Sequence, residues 1–172
     1  MAIDPNWARW VFASVAKALK EVVATEQNLA VLVEQLDERT KEFEQKTNKV
    51  EIRITGPSTQ ELSKGYFRNC VDMNVLLTCR YDGAQKNAYT IFRLAGLYQA
   101  ALSTPIGVWN YGSEDGDYIE GQPDTLVFIG CLKPRPGIQD STKVLHFGQI
   151  DPVSKLSQTM VDARYVMYLP EE

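Results

Sequence analysis

One long alternating segment constrains the fold of this 172-residue chain. From Val71 to Tyr81 every second residue is apolar, Val75 and Cys79 among them, and the positions between them are mostly polar. Alternation with a period of two is typical of a strand that buries one side and exposes the other. The segment therefore predicts a sheet whose apolar face is covered by other elements.

Other segments supply the neighbours of that strand. Asp4-Pro5 is a helix start signal, and the apolar residues after it recur at three- and four-residue steps, which predicts a helix ending near residues 25–28. A second helix is predicted from Ala88 to Ser103, closed by Pro105. Alternation or apolar runs predict further strands over 29–34, 50–54, 125–132, 143–150 and 161–169.

The connections favour one fold class. Residues 29–34 also fit a continuing helix, but a short strand is favoured because their Val-rich alternation follows the polar break at 26–28. The charged segment 37–49 is predicted to be a loop. Gly56-Pro57 is predicted to end a strand, and 58–66 to form a polar connection. Hairpin-length connections favour antiparallel pairing. We predict a single α+β domain over 1–172, with a mixed, mostly antiparallel sheet, an N-terminal helix and a second helix packed on it.

The negative charge is concentrated in one segment. The net charge is −4, and no Lys or Arg occurs between Leu94 and Leu132, where the acidic residues cluster. The total charge argues against a broad basic face for nucleic acid. Three cysteines without metal-ligand spacing indicate reduced thiols. No apolar run reaches the ~18 residues of a membrane-spanning helix, and no signal-peptide pattern opens the chain.

No residue pattern predicts catalysis or a cofactor. His146 is the only histidine, and no nucleophile motif accompanies it, so a structural role is expected. The run 114–117 (EDGD) does not have the spacing of a calcium loop and indicates a solvated acidic loop. Trp109 and Tyr111 lie beside it, which leaves open a small intracellular α+β binding protein that uses the acidic 110–124 loop.

Several segments resemble one family of virion proteins. They are Ile54-Thr55-Gly56, Tyr66-Phe67, the alternating strand 71–81 and the tyrosine-containing end 163–169. Together with the order of helices and strands, they resemble bacteriophage tail terminator and neck (head–tail joining) proteins. The resemblance implies a structural protein, not an enzyme and without a cofactor, in the tail or neck of a virion that is assembled in the host cytoplasm.

The resemblance also implies partners. The chain would form a ring with copies of itself, a homohexamer, which caps the tail tube and contacts neck or connector proteins. Double-stranded DNA would pass through the ring without specific binding, and no membrane would be involved.

Two groups of residues are candidates for these contacts. In the 37–49 loop and the 58–68 connection we predict subunit contacts, carried by Arg39, Phe43, Tyr66, Phe67 and Arg68. The alternative for Phe43 is that it folds back within its own chain. Acidic side chains at the lumen or its rim would keep phosphates from adhering. The residues predicted there are Glu114, Asp115, Asp117 and Glu120.

Overall fold

The computed structural model describes residues 6–63, 66–80, 85–110, 126–135, 142–151, 153 and 155–169. These ranges contain three helices and seven strands. In chain order they are α1 (Trp7–Glu21), β1 (Ala30–Val33), α2 (Lys41–Gln45), β2 (Lys49–Ser63), β3 (Tyr66–Arg80), α3 (Gln85–Ala101), β4 (Ile106–Trp109), β5 (Phe128–Pro134), β6 (Thr142–Asp151) and β7 (Leu156–Leu169). The helices and the mostly antiparallel, mixed sheet confirm the predicted fold class.

The alternating segment forms β3, in the middle of the sheet. It pairs antiparallel with β2 on one side and with β7 on the other, along nearly its whole length. The strand order is β1-β2-β3-β7-β5-β4, and β6 pairs with β7 beside this path. Among the described strands only the β1–β2 pair is parallel.

Both long helices cover the same face of the sheet. Residues of α1 at three- and four-residue steps are buried there, as the sequence pattern predicts, and the Tyr98 hydroxyl of α3 donates to the Leu19 carbonyl of α1 at 3.2 Å. Beneath the helices lie alternate residues of β3 and β7 with exposures of 5% or less. They are Val71, Met73, Val75, Leu77, Cys79, Val161, Ala163, Tyr165 and Met167. Burying each Val or Leu contributes roughly 1.5–3 kcal/mol.

The largest correction concerns β2. Gly56-Pro57 does not end this strand, because a bulge between Thr55 and Ser58 absorbs the pair and the strand continues to Ser63. The predicted polar connection 58–66 is therefore mostly paired strand. Residues 58–63 are exposed, so their side chains need not alternate between apolar and polar. Without that alternation, the polar composition of the segment indicates a loop, although it is a strand.

Smaller differences affect other elements. The predicted loop 37–49 contains α2, whose first turn is capped by the Thr40 hydroxyl accepting from the Phe43 N–H at 3.1 Å. The first helix ends at Glu21, earlier than predicted, and α3 begins before Ala88. No sequence pattern predicts β4, because its four residues are too few to show a period.

Tyr165 of β7 fixes the C-terminal end of α3. Its hydroxyl lies 2.5 Å from the Leu102 carbonyl oxygen and 2.8 Å from that of Thr104, and the Thr142 hydroxyl donates to the Leu102 carbonyl at 3.0 Å. Both carbonyls belong to the turn that follows the helix end at Ala101, and these side chains give them hydrogen-bond donors in the interior. Burial raises the pKa of the Tyr165 phenol above its ordinary value, so the hydroxyl stays a hydrogen-bond donor even in alkaline solution.

Replacing Tyr165 by Phe should lower the free energy of unfolding by about 1–2 kcal/mol, because buried carbonyls lose their donor. Urea denaturation measures the change. Tyr89→Phe is the control, since Tyr89 is 64% exposed and surface changes usually stay within about 0.5 kcal/mol. Equal effects of the two substitutions would contradict this role of Tyr165.

Candidate assembly surface

The structure separates the predicted subunit-contact residues into two groups. Arg39 and Phe43 lie beside and on α2, at the β1 side of the sheet, whereas Tyr66, Phe67 and Arg68 begin β3 at the far end of the β2–β3 hairpin. Strand β2 connects the groups and holds them roughly 30 Å apart. Within one chain they do not form a single patch.

Phe43 is buried within its own chain. It is 7% exposed and lies outside the main core cluster, on the sheet face opposite α1 and α3. The Arg39 guanidinium lies 5.6 Å from the centroid of its ring and the Lys49 ammonium 5.4 Å. Cations at these distances are attracted to an aromatic face. This environment favours the alternative in which Phe43 folds back on its own chain.

Arg39 is engaged in ion pairs inside the chain. Its guanidinium reaches Glu44 at 2.7 Å and Glu51 at 2.5 Å, and Lys49 also pairs with Glu44 at 3.2 Å. The hydrogen bond from Arg39 holds the pKa of Glu44 below its usual value. The group around α2 is thus a local electrostatic network that covers Phe43.

The outer half of the hairpin has an open edge. Strand β1 pairs with Lys49–Ile52 only, and the Gln35 side chain then binds Ile54, donating to its carbonyl at 2.9 Å and accepting from its N–H at 3.3 Å. From Thr55 to Ser63 every residue except Pro57 is exposed, and no described strand pairs with this edge. We call Thr55–Ser63 with its partner segment of β3, residues 66–70, the arm.

The base of the arm requires glycine. Gly56 has φ +108°, and a Cβ there would lie 2.7 Å from the Cys70 carbonyl oxygen, so other residues would be strained. The Gly56-Pro57 peptide bond is cis. A bulge and a proline are devices that limit indiscriminate pairing of a sheet edge. The edge of the arm is therefore open but irregular.

The arm also holds buried polar groups that the sequence did not reveal. Asn69 is completely buried, its Oδ1 accepts from the Thr59 hydroxyl at 2.6 Å, and its Nδ2 has no partner among the described residues. Arg68 donates to the Gln60 side chain, while its buried Nε has no acceptor in the described structure. Phe67 is half-buried. A polar residue in an alternating strand normally indicates a position that faces solvent. The burial of Asn69 could therefore not be predicted from the sequence.

The predicted lumen residues Glu114, Asp115, Asp117 and Glu120 lie outside the described residues. The chain on either side is held together, because the Asn110 N–H donates to the Val127 carbonyl at 3.1 Å and its side chain accepts from the Val127 N–H at 2.6 Å. Next to this closure, Trp109 meets Phe128 edge to face with ring centroids 5.2 Å apart. Trp109 also lines a groove of about 520 Å³ between α1 and β4.

Within the described ranges, no three His, Cys, Asp or Glu side chains come together in a group that could hold a metal ion. No described helix is long and apolar enough to cross a membrane. The cysteines Cys70, Cys79 and Cys131 are free, and burial raises the pKa of the Cys79 thiol to about 11.

Comparison with known proteins adds no relative. The chain matches no protein-family model, and no curated protein is significantly similar to it. Membership of the phage terminator and neck proteins therefore stays a prediction, which rests on the sequence motifs of this chain alone.

Replacing Phe43 by Ala should lower the free energy of unfolding by about 3 kcal/mol, because it leaves a cavity under α2. We expect the oligomeric state to stay unchanged, since Phe43 is covered by its own chain. Urea denaturation and light scattering measure the two effects. Normal stability combined with lost assembly would show that Phe43 is a subunit contact after all.

Replacing Glu44 by Gln should destabilise the chain at neutral pH but have little effect in acid. The folded-state pKa of Glu44 is depressed below 4.5. Its contribution is therefore present above that pH and is lost as the pH falls through the lowered value. Urea midpoints of both chains across this range measure the effect. Glu42→Gln, on the same helix, is the control, and an equal pH dependence there would contradict the role of the Arg39 contact.

Proposed function

We propose that this chain is a structural subunit of a homohexameric ring at the head–tail junction of a phage virion. The ring caps the tail tube, contacts neck or connector proteins and lets double-stranded DNA pass. The sequence resemblance supports the family and the hexamer. The structural observation that carries the proposal is the open β2 edge of the arm.

The open edge of β2 in the arm is long enough to pair with a strand of another chain. Unpaired backbone groups on a strand edge pair readily with another chain, so natural sheets cover or interrupt them. The opposite side of the sheet has a second open edge at β6, whose only pairing among the described strands is with β7. Phe147 and Ile150 on β6 are 54% and 50% exposed.

Two different open edges suit a ring. A head-to-tail assembly uses one surface of each subunit against a different surface of the next, and it closes when the rotation between subunits permits. A two-fold dimer through the arm would cover one edge and leave β6 open. The presence of unlike edges on opposite sides of the sheet thus favours a cyclic arrangement over a dimer.

The acidic segment fits passage of DNA. In the proposed ring Glu114, Asp115, Asp117 and Glu120 line the lumen or its rim. Lys and Arg contacts to phosphates hold DNA in place, so a surface without them lets the duplex slide. The role is mechanical, and no catalytic step is part of it.

Replacing Leu62 by Lys should convert the ring into monomers. Leu62 lies on the arm and is 48% exposed, and a charge there would be desolvated in an interface. Leu36→Lys is the matched control, since Leu36 is 53% exposed and lies outside the arm. Light scattering should give six times the 19.4 kDa chain mass for the wild type and the control.

Negative-stain images of the wild type should then show a ring with a central hole. A wild-type chain that stays monomeric at every concentration and forms no ring contradicts the proposal. Equal assembly of the Leu62→Lys chain and the control would show that the ring does not use the arm.

The groove beside Trp109 favours a second candidate, a small binding protein with its partner site near the acidic segment. The groove has ligand-sized volume and is lined by an aromatic ring, Ser14 and Lys17. A monomer whose Trp109 fluorescence responds to a bound metabolite or peptide would support this candidate over the ring.

A further inference from the structure

A second cavity lies between the N-terminal half of α3 and the strands β6 and β7. Its volume is about 330 Å³. One wall is apolar and consists of Ile91 and Phe92 on the helix. The other wall is polar and includes His146, Ser157, Gln158 and Thr159 on the strands. It is separate from the arm and from the groove at Trp109.

The polar wall interrupts an otherwise apolar sheet face. Along β7, alternate residues from Val161 to Met167 face the helices and are buried in the core. The same alternate set continues toward the start of the strand as Thr159 and Ser157. Thr159 is 1% exposed, although a core position of this kind would gain stability from an apolar side chain. Hydrogen-bonding groups are thus concentrated at one end of the covered face.

His146 is held in a defined orientation. Its Nδ1 lies 3.0 Å from the Thr159 hydroxyl oxygen, and the Phe92 ring meets the imidazole edge to face with centroids 4.9 Å apart. When the Nδ1 proton is donated to Thr159, Nε2 is left as an acceptor. Thr159 engages Nδ1 and His146 lines the cavity, so Nε2 is the ring nitrogen left for a ligand, as an acceptor or a donor according to the tautomer.

The remaining groups differ in what they offer a ligand. Gln158 alternates to the opposite face of β7, where its Nε2 donates to the Thr78 hydroxyl at 3.2 Å, so its side-chain amide does not set the polarity of the ligand. The Ser157 hydroxyl both donates and accepts. None of the described side chains that line the cavity carries a permanent charge. An ionic ligand would therefore find no counter-charge among these side chains.

We propose that this cavity binds an uncharged nucleoside through its base. A nucleobase is planar, so its faces suit the Phe92 wall, and its edge carries the donors and acceptors that the His146 wall requires. The volume lies near the lower end of the range for ligand pockets and admits a nucleoside but not an oligonucleotide. This binding does not depend on the proposed ring.

Titration of the ¹⁵N-labelled chain with adenosine, guanosine, cytidine and uridine tests the proposal by amide chemical shifts. At least one nucleoside should cause saturable shifts at Ile91, Phe92, Gln158 and Thr159. His146→Ala should weaken that binding about tenfold, as expected for one lost hydrogen bond to the base. Ser157→Leu, which fills the cavity, should abolish it.

Two controls separate this site from others. Trp109→Ala alters the other groove and should leave the affinity unchanged, and ribose alone should cause no saturable shift. The proposal is overturned if no nucleoside binds saturably to the folded wild-type chain, if ribose reproduces the shifts, or if His146→Ala and Ser157→Leu bind as the wild type does.

Discussion

The pairing of β3 on both sides is the constraint on which the rest of the structure depends. Its hydrogen bonds to β2 and β7 extend over nearly fifteen residues. The three strands therefore form one long apolar sheet face, which other elements must cover. Slipping either neighbour by one residue would turn its apolar set to the solvent side. The register is therefore fixed by burial, and α1 and α3 occupy the only face that needs them. The opposite face carries polar residues and the short helix α2.

Periodicity predicted the parts of the molecule in which burial is one-sided. The strand around Val75, both long helices and the last strand, which ends at Leu169, follow from alternating or helical apolar spacing. The arm did not follow, because a strand exposed on both faces has no apolar period. Gly56-Pro57 was equally misleading. The pair usually ends a strand, but here the backbone conformation of Gly56 allows a bulge, and pairing with β3 continues beyond it.

The candidate sites depend on proximity that a linear sequence does not encode. Phe43 was marked as unusual by its polar surroundings, yet only the fold shows that Arg39 and Lys49 cover its ring. The sequence predicts a structural role for His146, because no nucleophile motif accompanies it. Its partners, Thr159 and Phe92, come from the adjacent strand and from a helix more than fifty residues earlier. The open edge of β2 follows from the order of the strands in the sheet, which the sequence does not show.

The arm combines two opposing requirements. A sheet edge that never meets a partner is best covered or interrupted, and an edge that joins neighbours has to stay open. This arm is interrupted twice, at Thr55/Ser58 and near Glu61/Ser63, with a paired segment between the two irregularities. A partner strand can add only where its own backbone matches that short regular stretch. Such irregularities limit random association during folding, and in the proposed ring the short regular stretch would be the part of the edge that one specific neighbour joins.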